Sequence, residues 1–334
     1  MATIYEVSKL AGVSLATVSR VINGNEKVRD VTRKKVMKAV EELNYRPNSV
    51  AKSLASNKTD SIGILVSELH GPIFGSMMSE IEATLRNAGK HVIFTAGHSD
   101  EQSEREGIEF LLNRNCDALI LHVEAISDAD LVAYQARAKT PFIFLNHFID
   151  ALPDNCIYLN NELGGQLSAQ ALIDKGHKHL AYIAGPFWKQ DANERFRGFK
   201  NSLEAAEFIL DDDLVFEGDY HEDSGYLGMK QILETKKPFT GVACANDEMA
   251  AGAMRAIREA GITIPDDISI VGFDNIIFTR FMSPKLTTIH FPIDAMGKMA
   301  AQLVMKRLYG MEMKDPVQYQ FDPTLIERES IRSL

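Results

Sequence analysis

The feature that most limits the fold of this chain is a regular alternation of short apolar runs with amphipathic segments between residues 61 and 309. Short apolar runs predict buried strands, and apolar residues at three- and four-residue spacing predict helices. The predicted strands are 62–66, 91–95, 118–123, 142–145, 157–159, 180–183, 214–217, 241–245, 268–272 and 287–291. The predicted helices are 74–88, 105–112, 128–138, 166–174, 193–206, 225–234, 248–260 and 295–309. Repeated β–α units of this kind form parallel sheets with helices on both faces.

The segment that carries these units, residues 58–334, is too long for one open sheet of ordinary size. We therefore predict an α/β domain of two doubly wound parallel-sheet lobes, with crossovers between the lobes near 159–161, 290–293 and 315–322. Ligands of such folds bind beyond the carboxyl ends of the strands. The sequence thus predicts a ligand site in a cleft between two lobes.

Polar and aromatic residues follow many of the predicted strands, and one arginine follows Gly185-Pro186. Amide and carboxylate groups bind hydroxyl pairs, a guanidinium donates a fork of hydrogen bonds, and an aromatic face covers a sugar ring. The pattern therefore favours a neutral polyhydroxylated ligand, although each Asp or Asn alone is more often a helix cap. The residues concerned are Ser67, Phe74, Asn146, Asn160, Arg195, Asp219, Tyr220, Asn246, Asp247, Asp274 and Asn275.

Catalytic and metal-binding motifs are not found in the sequence. It has no Walker A loop, no G-x-G-x-x-G, no G-x-S-x-G and no H-E-x-x-H, and its nine histidines are scattered. Cys116, Cys156 and Cys244 lie in apolar runs and are odd in number, which favours buried thiols over disulfides or a metal site. We expect no cofactor, and an enzyme has no support beyond the fold class.

The first 47 residues predict a small helical domain with a helix-turn-helix. Val18, Val21 and Ile22 recur at helical spacing and can pack on Val7, Leu10 and Ala11 of a preceding helix. Ser14 occupies the N-cap position of the second helix. A basic amphipathic helix over 32–44 completes the core. An ordinary surface helical hairpin fits the same pattern, so the pattern alone leaves DNA binding open.

A short helix predicted over 48–57 follows Pro47, with Val50, Ala51, Leu54 and Ala55 on its apolar side. A helix of this length is marginal alone and needs a partner. It is either a hinge that folds on DNA and inserts Leu54 into the minor groove, or a linker helix packed on the body. The local pattern does not separate the two.

Charge is unevenly distributed along the chain. Residues 1–60 contain 11 lysines and arginines against 6 acidic residues, a net charge of +5, whereas the whole chain has −10, so the remainder carries −15. A basic head on an acidic body is typical of a DNA-binding sensor, although a chance cluster of charges would look the same. No apolar run approaches the roughly 18 residues of a membrane span, and the N-terminus lacks signal-peptide features, so we expect a cytoplasmic protein without a membrane partner.

Several motifs together resemble the LacI/GalR family of bacterial repressors, over essentially the whole chain. They are the head at 3–24, Tyr45-Arg-Pro-Asn, Asn246-Asp-Glu-Met-Ala, Val271-Gly-Phe-Asp-Asn and Leu286-Thr-Thr-Ile. Finer features are most similar to the galactose-repressor branch, namely Cys116-Asp-Ala-Leu-Ile-Leu-His, Phe239-Thr-Gly-Val-Ala-Cys, Ala250-Ala-Gly-Ala-Met and Phe321-Asp-Pro-Thr-Leu-Ile.

The resemblance implies a helix-turn-helix head, a hinge helix and a body like that of periplasmic binding proteins. It also implies a homodimer that binds a pseudo-palindromic double-stranded DNA operator. Leu15, Ala16 and Arg20 would contact bases, and Leu54 with Ala51 would act in the minor groove. The implied backbone contacts are Ile4, Tyr5, Ser14, Thr17, Ser19, Asn23, Lys27, Arg29, Thr32, Tyr45 and Asn48.

The resemblance further implies a small sugar effector between the lobes, with galactose or a related hexose or glycoside favoured. The implied effector residues are Phe74, Asn146, Arg195, Tyr220, Asn246, Asp274 and Ile293. Asn146 stands where many relatives carry Asp, which leaves the recognised hydroxyl pattern open. The chain has no leucine-heptad tail, so a dimer is expected. A transport-type binding protein and a sugar-modifying enzyme share the body, but the basic head favours neither.

Overall fold

The computed structural model describes residues 2–22, 27–46 and 58–334 and divides the chain into two compact units, Met1–Asp60 and Ser61–Leu334. The first unit contains the helices α1 (Ile4–Ala11), α2 (Leu15–Ile22) and α3 (Asp30–Glu42). The helix predicted over 48–57 lies outside the described residues.

Helices α1 and α2 form a helix-turn-helix. Thr3 and Glu6 cap the start of α1 reciprocally, since the Thr3 amide donates to Glu6 Oε2 at 2.7 Å and the Glu6 amide donates to Thr3 Oγ1 at 3.4 Å. Gly12 ends α1 with φ at +65°, a left-handed conformation that suits glycine. The Thr17 amide donates to Ser14 Oγ at 3.2 Å, so Ser14 caps α2 as predicted.

The core of this unit is small and aliphatic, with Val7, Val18, Val21, Val36 and Ala39 buried. One predicted core residue is wrong: the Leu10 side chain is 51% exposed. Apolar residues at helical spacing form a broad face on α1, and α2 and α3 cover only part of that face.

The second unit contains twelve strands and eight helices in strict alternation through most of its length. The strands are β1 (Ser61–Val66), β2 (His91–Ala96), β3 (Ala118–Leu121), β4 (Phe142–Leu145), β5 (Cys156–Leu159), β6 (Leu180–Ala184), β7 (Val215–Glu217), β8 (Gly241–Cys244), β9 (Ser269–Asp274), β10 (Thr287–His290), β11 (Gln320–Phe321) and β12 (Thr324–Ile326). The helices are α4 (Pro72–Asn87), α5 (Glu101–Asn113), α6 (Asp128–Arg137), α7 (Asn161–Ile173), α8 (Gln190–Ala205), α9 (Glu222–Glu234), α10 (Asp247–Glu259) and α11 (Ile293–Tyr309). Short 3₁₀ turns occur at Pro153–Asn155, Asp212–Leu214 and Ile277–Arg280.

The strands form two six-stranded sheets, which confirms the predicted pair of doubly wound lobes. The first lobe has the order β11-β5-β4-β3-β1-β2 and the second β12-β10-β9-β8-β6-β7. All pairs are parallel except β10 with β12. The chain passes between the lobes after β5, after β10 and between β11 and β12.

Alternation along the strands decides which side chains enter which core. In β1, Ile62, Ile64 and Val66 belong to the core on one face of the first sheet, and Leu65 belongs to the core on the other face. Because both faces are covered by helices, the whole strand is apolar. The three cysteines are buried as predicted, Cys116 and Cys156 in the first lobe and Cys244 in the core of the second.

The helices begin earlier than the apolar spacing predicts. Helix α5 starts at Glu101, where the Asp100 carboxylate accepts from the Ser103 amide at 2.8 Å, and α7 starts at Asn161, where Asn160 caps in the same way. These first turns are polar, so hydrophobic periodicity does not detect them. Strands β11 and β12, of two and three residues, were not predicted because they have no apolar run.

In the described parts of the chain, no helix combines the length and apolar character that a membrane crossing needs.

Candidate functional site

A cavity of about 410 Å³ lies between the two lobes of the second unit, at the carboxyl ends of their strands. Its volume lies in the range of small-molecule sites. Six of the seven residues predicted to bind an effector line it: Phe74, Asn146, Arg195, Tyr220, Asn246 and Asp274.

The structure does not bring the seventh predicted effector residue, Ile293, to the lining of the cavity. Its side chain is buried in the core of the first lobe, where α11 begins. Phe291, which follows β10 directly, contributes the aromatic wall instead. One residue, Pro292, separates these positions, and the turn between strand and helix directs their side chains differently.

Arg195 is the most constrained polar side chain of the site, with only 3% of its surface exposed. Its Nε donates to Asn161 Oδ1 at 3.0 Å, and its Nη1 donates to the Ala245 carbonyl at 2.7 Å. The guanidinium also lies 3.8 Å from the centre of the Phe273 ring. A planar cation held in this way is pre-organised for hydrogen bonding.

Two carboxylates flank the Arg195 guanidinium. Asp274 Oδ1 lies 3.7 Å from Nη1, and Asp191 Oδ2 lies 3.7 Å from Nη2. Burial raises the pKa of Asp274 well above its usual value, and the attraction of Arg195 offsets only part of this effect. Burial disfavours the charged guanidinium, but Tyr220 and the two carboxylates outweigh it and raise the pKa of Arg195. A carboxyl group that protonates readily can donate as well as accept a hydrogen bond.

The backbone has a positive φ at five non-glycine cavity residues. Asn146, Tyr220 and Asp274 have φ angles of +56°, +73° and +106°, and the neighbouring residues His98 and Ser99 have +53° and +50°. Asn and Asp enter this region at modest cost, whereas a tyrosine there is unusual. Such strain persists only where the surroundings enforce it, and it concentrates at ligand sites.

Two side-chain atoms of the cavity are buried without a hydrogen-bond partner. They are Asn146 Oδ1 and Tyr220 OH, and no other described residue has a buried side-chain polar atom in this condition. An unsatisfied buried polar atom costs about 1 to 3 kcal/mol. Both atoms therefore favour a ligand that supplies hydrogen bonds at these positions.

Tyr220 is held in place by its neighbours. Asn246 Nδ2 donates to the Tyr220 carbonyl at 2.7 Å, and Asn246 Oδ1 accepts from the Met249 amide at 2.9 Å, so this amide caps α10 and also orders the tyrosine. Gly185 leaves room for the ring, because a Cβ at Gly185 would lie 2.3 Å from Tyr220 Cζ. Asn246 therefore caps a helix, as many Asn residues do, and also forms part of the cavity wall.

A polar cluster that the sequence did not predict lines another part of the cavity. It contains Ser67, Ser99, His122 and Glu124 of the first lobe and Lys189 of the second. Lys189 Nζ lies 2.8 Å from Glu124 Oε2, and both side chains are largely buried. Ser67 was noted as a strand end, but nothing in the sequence pairs Glu124 with a lysine 65 positions away.

The lining as a whole is acidic. It includes six carboxylates, two cationic side chains and four histidines. At the edge of the cavity His70 Nε2 lies 3.3 Å from Glu68 Oε2, and His221 Nε2 lies 3.9 Å from Glu68 Oε1. Among the described residues no group of His, Cys, Asp or Glu side chains has metal-binding geometry.

The first unit has a groove that brings several predicted DNA contacts together. It is lined by Val13 and Val28 and by six predicted contacts, namely Ser14, Thr17, Arg20, Lys27, Arg29 and Thr32. Three of these six are cationic, which suits a polyanion. Arg20 lies on the last turn of α2 and is exposed.

The other described DNA-contact candidates lie on α1 and α2 and, in the case of Tyr45, just after α3. Tyr5 is 70% exposed and Ala16 is exposed, whereas Leu15 and Ser19 are half-buried. Ile4 and Tyr45 are half-buried and pack against the core of the head, so they have a structural role in addition to the predicted one. Four further candidates lie outside the described residues: Asn23, Asn48, Ala51 and Leu54.

Comparisons with known proteins match both units. Residues 3–48 match the family model described as bacterial regulatory proteins, lacI family, and residues 169–331 match the periplasmic binding protein-like domain. The chain is 37% identical to the HTH-type transcriptional regulator GalR of Salmonella typhimurium, over 99% of this chain and 96% of that protein. It is 33% identical to the HTH-type transcriptional repressor PurR of Vibrio atlanticus, over the full length of both.

A solved structure of the Lac repressor dimer bound to operator and the anti-inducer ONPF is also similar. It has a TM-score of 0.88 at 29% identity, and the match covers 99% of each chain. The curated relatives are transcriptional regulators and not enzymes. The helix-turn-helix head, the two-lobed body and these full-length similarities show that the chain belongs to the LacI family of bacterial transcriptional regulators.

Proposed function

We propose that this protein is a repressor whose affinity for a pseudo-palindromic DNA operator is set by a neutral sugar bound between its two lobes. Galactose or a related hexose or glycoside is the favoured effector. The observation that carries the proposal is the pair of unpartnered buried atoms, Asn146 Oδ1 and Tyr220 OH, in a cavity with a fixed arginine. A ligand with several hydroxyl groups satisfies both atoms, since each hydroxyl donates and accepts.

The charges of the cavity favour a neutral effector over an anionic one. Both cationic side chains of the lining are already paired with carboxylates, Lys189 with Glu124 and Arg195 with Asp191 and Asp274. A phosphorylated or carboxylated ligand would add a negative charge to this acidic lining. This chain has similar identity to its GalR and PurR relatives, so family membership does not identify the effector. The proposal of a neutral sugar therefore rests on the chemistry of the cavity.

In the head, we assign base contacts to Leu15, Ala16 and Arg20. A guanidinium matches the O6 and N7 acceptors of guanine, and small apolar side chains match the thymine methyl group. The predicted backbone contacts around the groove would fix the position of α2 in the major groove. Leu54 and Ala51 stay predicted minor-groove contacts.

A homodimer is part of the proposal because a pseudo-palindromic operator is bound by two heads. The body carries an exposed apolar patch at the 3₁₀ turn Ile277–Arg280, where Ile277, Phe278 and Phe281 are 50%, 59% and 74% exposed. Contiguous exposed aromatic residues are typical of interaction sites. We assign this patch to contact with a second copy, and a Phe281→Glu variant that sediments like the wild type would contradict the assignment.

The effector is tested by calorimetry of the full chain. The neutral panel is D-galactose, methyl β-D-galactoside and D-glucose, and the contrasting ligands are D-galactose 6-phosphate and hypoxanthine. The proposal expects a neutral sugar to bind and the phosphate ester to bind more weakly than its parent sugar. Binding of hypoxanthine or the phosphate ester alone would contradict it.

The DNA arm of the test begins with selection of bound duplexes from a randomised pool. The selected sequence should be a pseudo-palindrome, and binding should weaken with salt because phosphate contacts release counterions. Its affinity is then measured with and without the sugar that binds. Failure to enrich any sequence would contradict the proposed function as a sequence-specific repressor.

A further inference from the structure

The polar cluster of Ser67, Ser99, His122, Glu124 and Lys189 joins the two lobes across the cavity. Lys189 precedes helix α8 of the second lobe, and the other four residues follow strands of the first lobe. Lys189 Nζ donates to Glu124 Oε2 at 2.8 Å and to Ser99 Oγ at 3.1 Å, and the Ser99 hydroxyl also donates to Glu124 Oε2. The cluster is therefore complete only when the lobes are close together.

The first lobe holds its side of the cluster rigidly. The buried Glu104 carboxylate accepts from the backbone amides of Glu124, Ala125 and Ile126, at 2.8, 3.0 and 2.9 Å. These three bonds fix the loop that carries Glu124. The lysine of the second lobe is thus the member of the cluster whose position depends on closure.

The hydrogen-bond directions within the cluster fix the protonation of His122. An ionised carboxylate only accepts, so the Ser67 hydroxyl, 3.0 Å from Glu124 Oε2, must donate to it. Ser67 has one hydroxyl hydrogen, so its oxygen accepts from His122 Nδ1, which lies 2.9 Å away. His122 therefore carries its proton on Nδ1.

The neutral state of His122 leaves Nε2 as an acceptor. Burial lowers the pKa of His122, and although burial alone would raise the pKa of Glu124, the charge of Lys189 and the hydrogen bonds from Lys189 and Ser99 act to lower it. No described residue forms a hydrogen bond to His122 Nε2, and the ring lines the cavity with the Phe74 ring edge-on at 5.4 Å. The orientation of the ring is thus fixed by Ser67 and Phe74.

We propose that Lys189 is a positioning residue for effector binding: it holds Glu124 across the cleft, and through Ser67 this fixes His122 with Nε2 ready to accept a hydrogen bond from a ligand hydroxyl. The inference rests on the proposed sugar effector. It gives the cavity a second acceptor besides Asn146 Oδ1 and makes the position at His122 selective for a ligand group that donates. A ligand with a ring nitrogen or carbonyl at that position would face the Nε2 lone pair.

The first arm of the test uses ligand-free full-length protein, so it decides the relay whether or not a sugar binds. ¹⁵N spectra of histidine-labelled protein distinguish protonated from unprotonated ring nitrogens, and His122→Gln identifies the His122 signals among nine histidines. The wild type should show Nδ1 protonated. In Lys189→Met the unpaired buried Glu124 takes up a proton and can donate to Ser67, so the His122 proton should shift toward Nε2.

The second arm measures binding of D-galactose, methyl β-D-galactoside and D-glucose by calorimetry. Lys189→Met should weaken binding of the sugar that the wild type binds by up to about tenfold, the upper end of the range for one hydrogen bond between neutral groups. Lys189→Arg, which keeps the cation, should restore most of the affinity. The matched control is Lys200→Met, which removes an exposed lysine from α8, the helix that Lys189 precedes. This variant should bind the sugar as the wild type does.

Wild-type His122 protonated on Nε2 would overturn the relay. Unchanged His122 signals in Lys189→Met would overturn it too, and so would a loss of affinity in that variant that Lys189→Arg does not restore. A confirmed tautomer shift together with no binding by any sugar would leave the relay standing and reject the proposed effector class instead.

Discussion

The unpartnered hydroxyl of Tyr220 gives the sharpest prediction, because removing it should have opposite effects on the ligand-free and liganded protein. The group is buried in the cavity wall and has no hydrogen-bond partner. Leaving a buried hydroxyl unsatisfied costs about 1 to 3 kcal/mol. Tyr220→Phe keeps the ring and removes this cost, so the ligand-free variant should be more stable than the wild type by about that amount.

The same free energy should be lost from effector binding. In the liganded wild type the hydroxyl is satisfied by the sugar, so Phe gains nothing there and the liganded forms should be similarly stable. A loss of about 1 to 3 kcal/mol corresponds to about 5- to 150-fold weaker binding. The gain in unfolding free energy and the loss in binding free energy should therefore match in size.

The assay is chemical denaturation of the full chain with and without the bound sugar, combined with calorimetric Kd values. Tyr226→Phe is the control, since the Tyr226 hydroxyl lies outside the cavity and is already bonded to Glu259 at 2.6 Å. It should neither stabilise the protein nor change the Kd. If Tyr220→Phe and the wild type have equal stability and equal affinity, the Tyr220 hydroxyl does not bind the sugar as proposed.

Three further predictions concern other parts of the molecule. Arg20→Ala should cost about 1 to 3 kcal/mol in operator binding and relax one base position in a selection experiment, whereas an unchanged base preference would argue against a bidentate contact. Gly185→Ala places a Cβ 2.3 Å from Tyr220 Cζ, so it should abolish sugar binding in calorimetry while operator binding persists in gel shifts. Burial raises the pKa of Asp247 to about 7, against about 3.9 unfolded, so the contribution of this group to the unfolding free energy should fall by about 4 kcal/mol as pH rises from about 4 to 7. Asp247→Asn should flatten that pH dependence in denaturant titrations, and parallel curves for the two proteins would contradict the assignment.

The sequence predicted the elements of the body well because burial on both sheet faces leaves a strong apolar pattern. Each strand is an almost continuous run, as in Ile62 to Val66, and each helix has a regular apolar stripe. The polar first turns of α5 and α7 were missed because capping chemistry, not hydrophobicity, decides where those helices begin. The ends of the strands were also predictable, because polar residues directly follow the apolar runs.

The arrangement around the cavity was less predictable because it depends on contacts distant in sequence. The Lys189 to Glu124 pair joins two lobes, and no local pattern indicates it. Ile293 packs into the core of the first lobe, although it lies only two positions beyond Phe291, which does line the cavity. Likewise, Leu10 has core-like spacing, but only the packing of the neighbouring helices decides that it is exposed.

Sugar bound in the cavity should change the affinity of the heads for DNA. Thermodynamic linkage makes this coupling measurable in both directions, because the factor by which sugar changes the operator Kd must equal the factor by which operator changes the sugar Kd. The measurement is fluorescence anisotropy of the selected duplex with full-length protein at fixed salt, titrated with and without saturating sugar, paired with sugar titrations of the protein and of its DNA complex. Both titrations should give one common factor that differs from one, and this effect should disappear in Gly185→Ala. Sugar binding that leaves the operator Kd unchanged would contradict it.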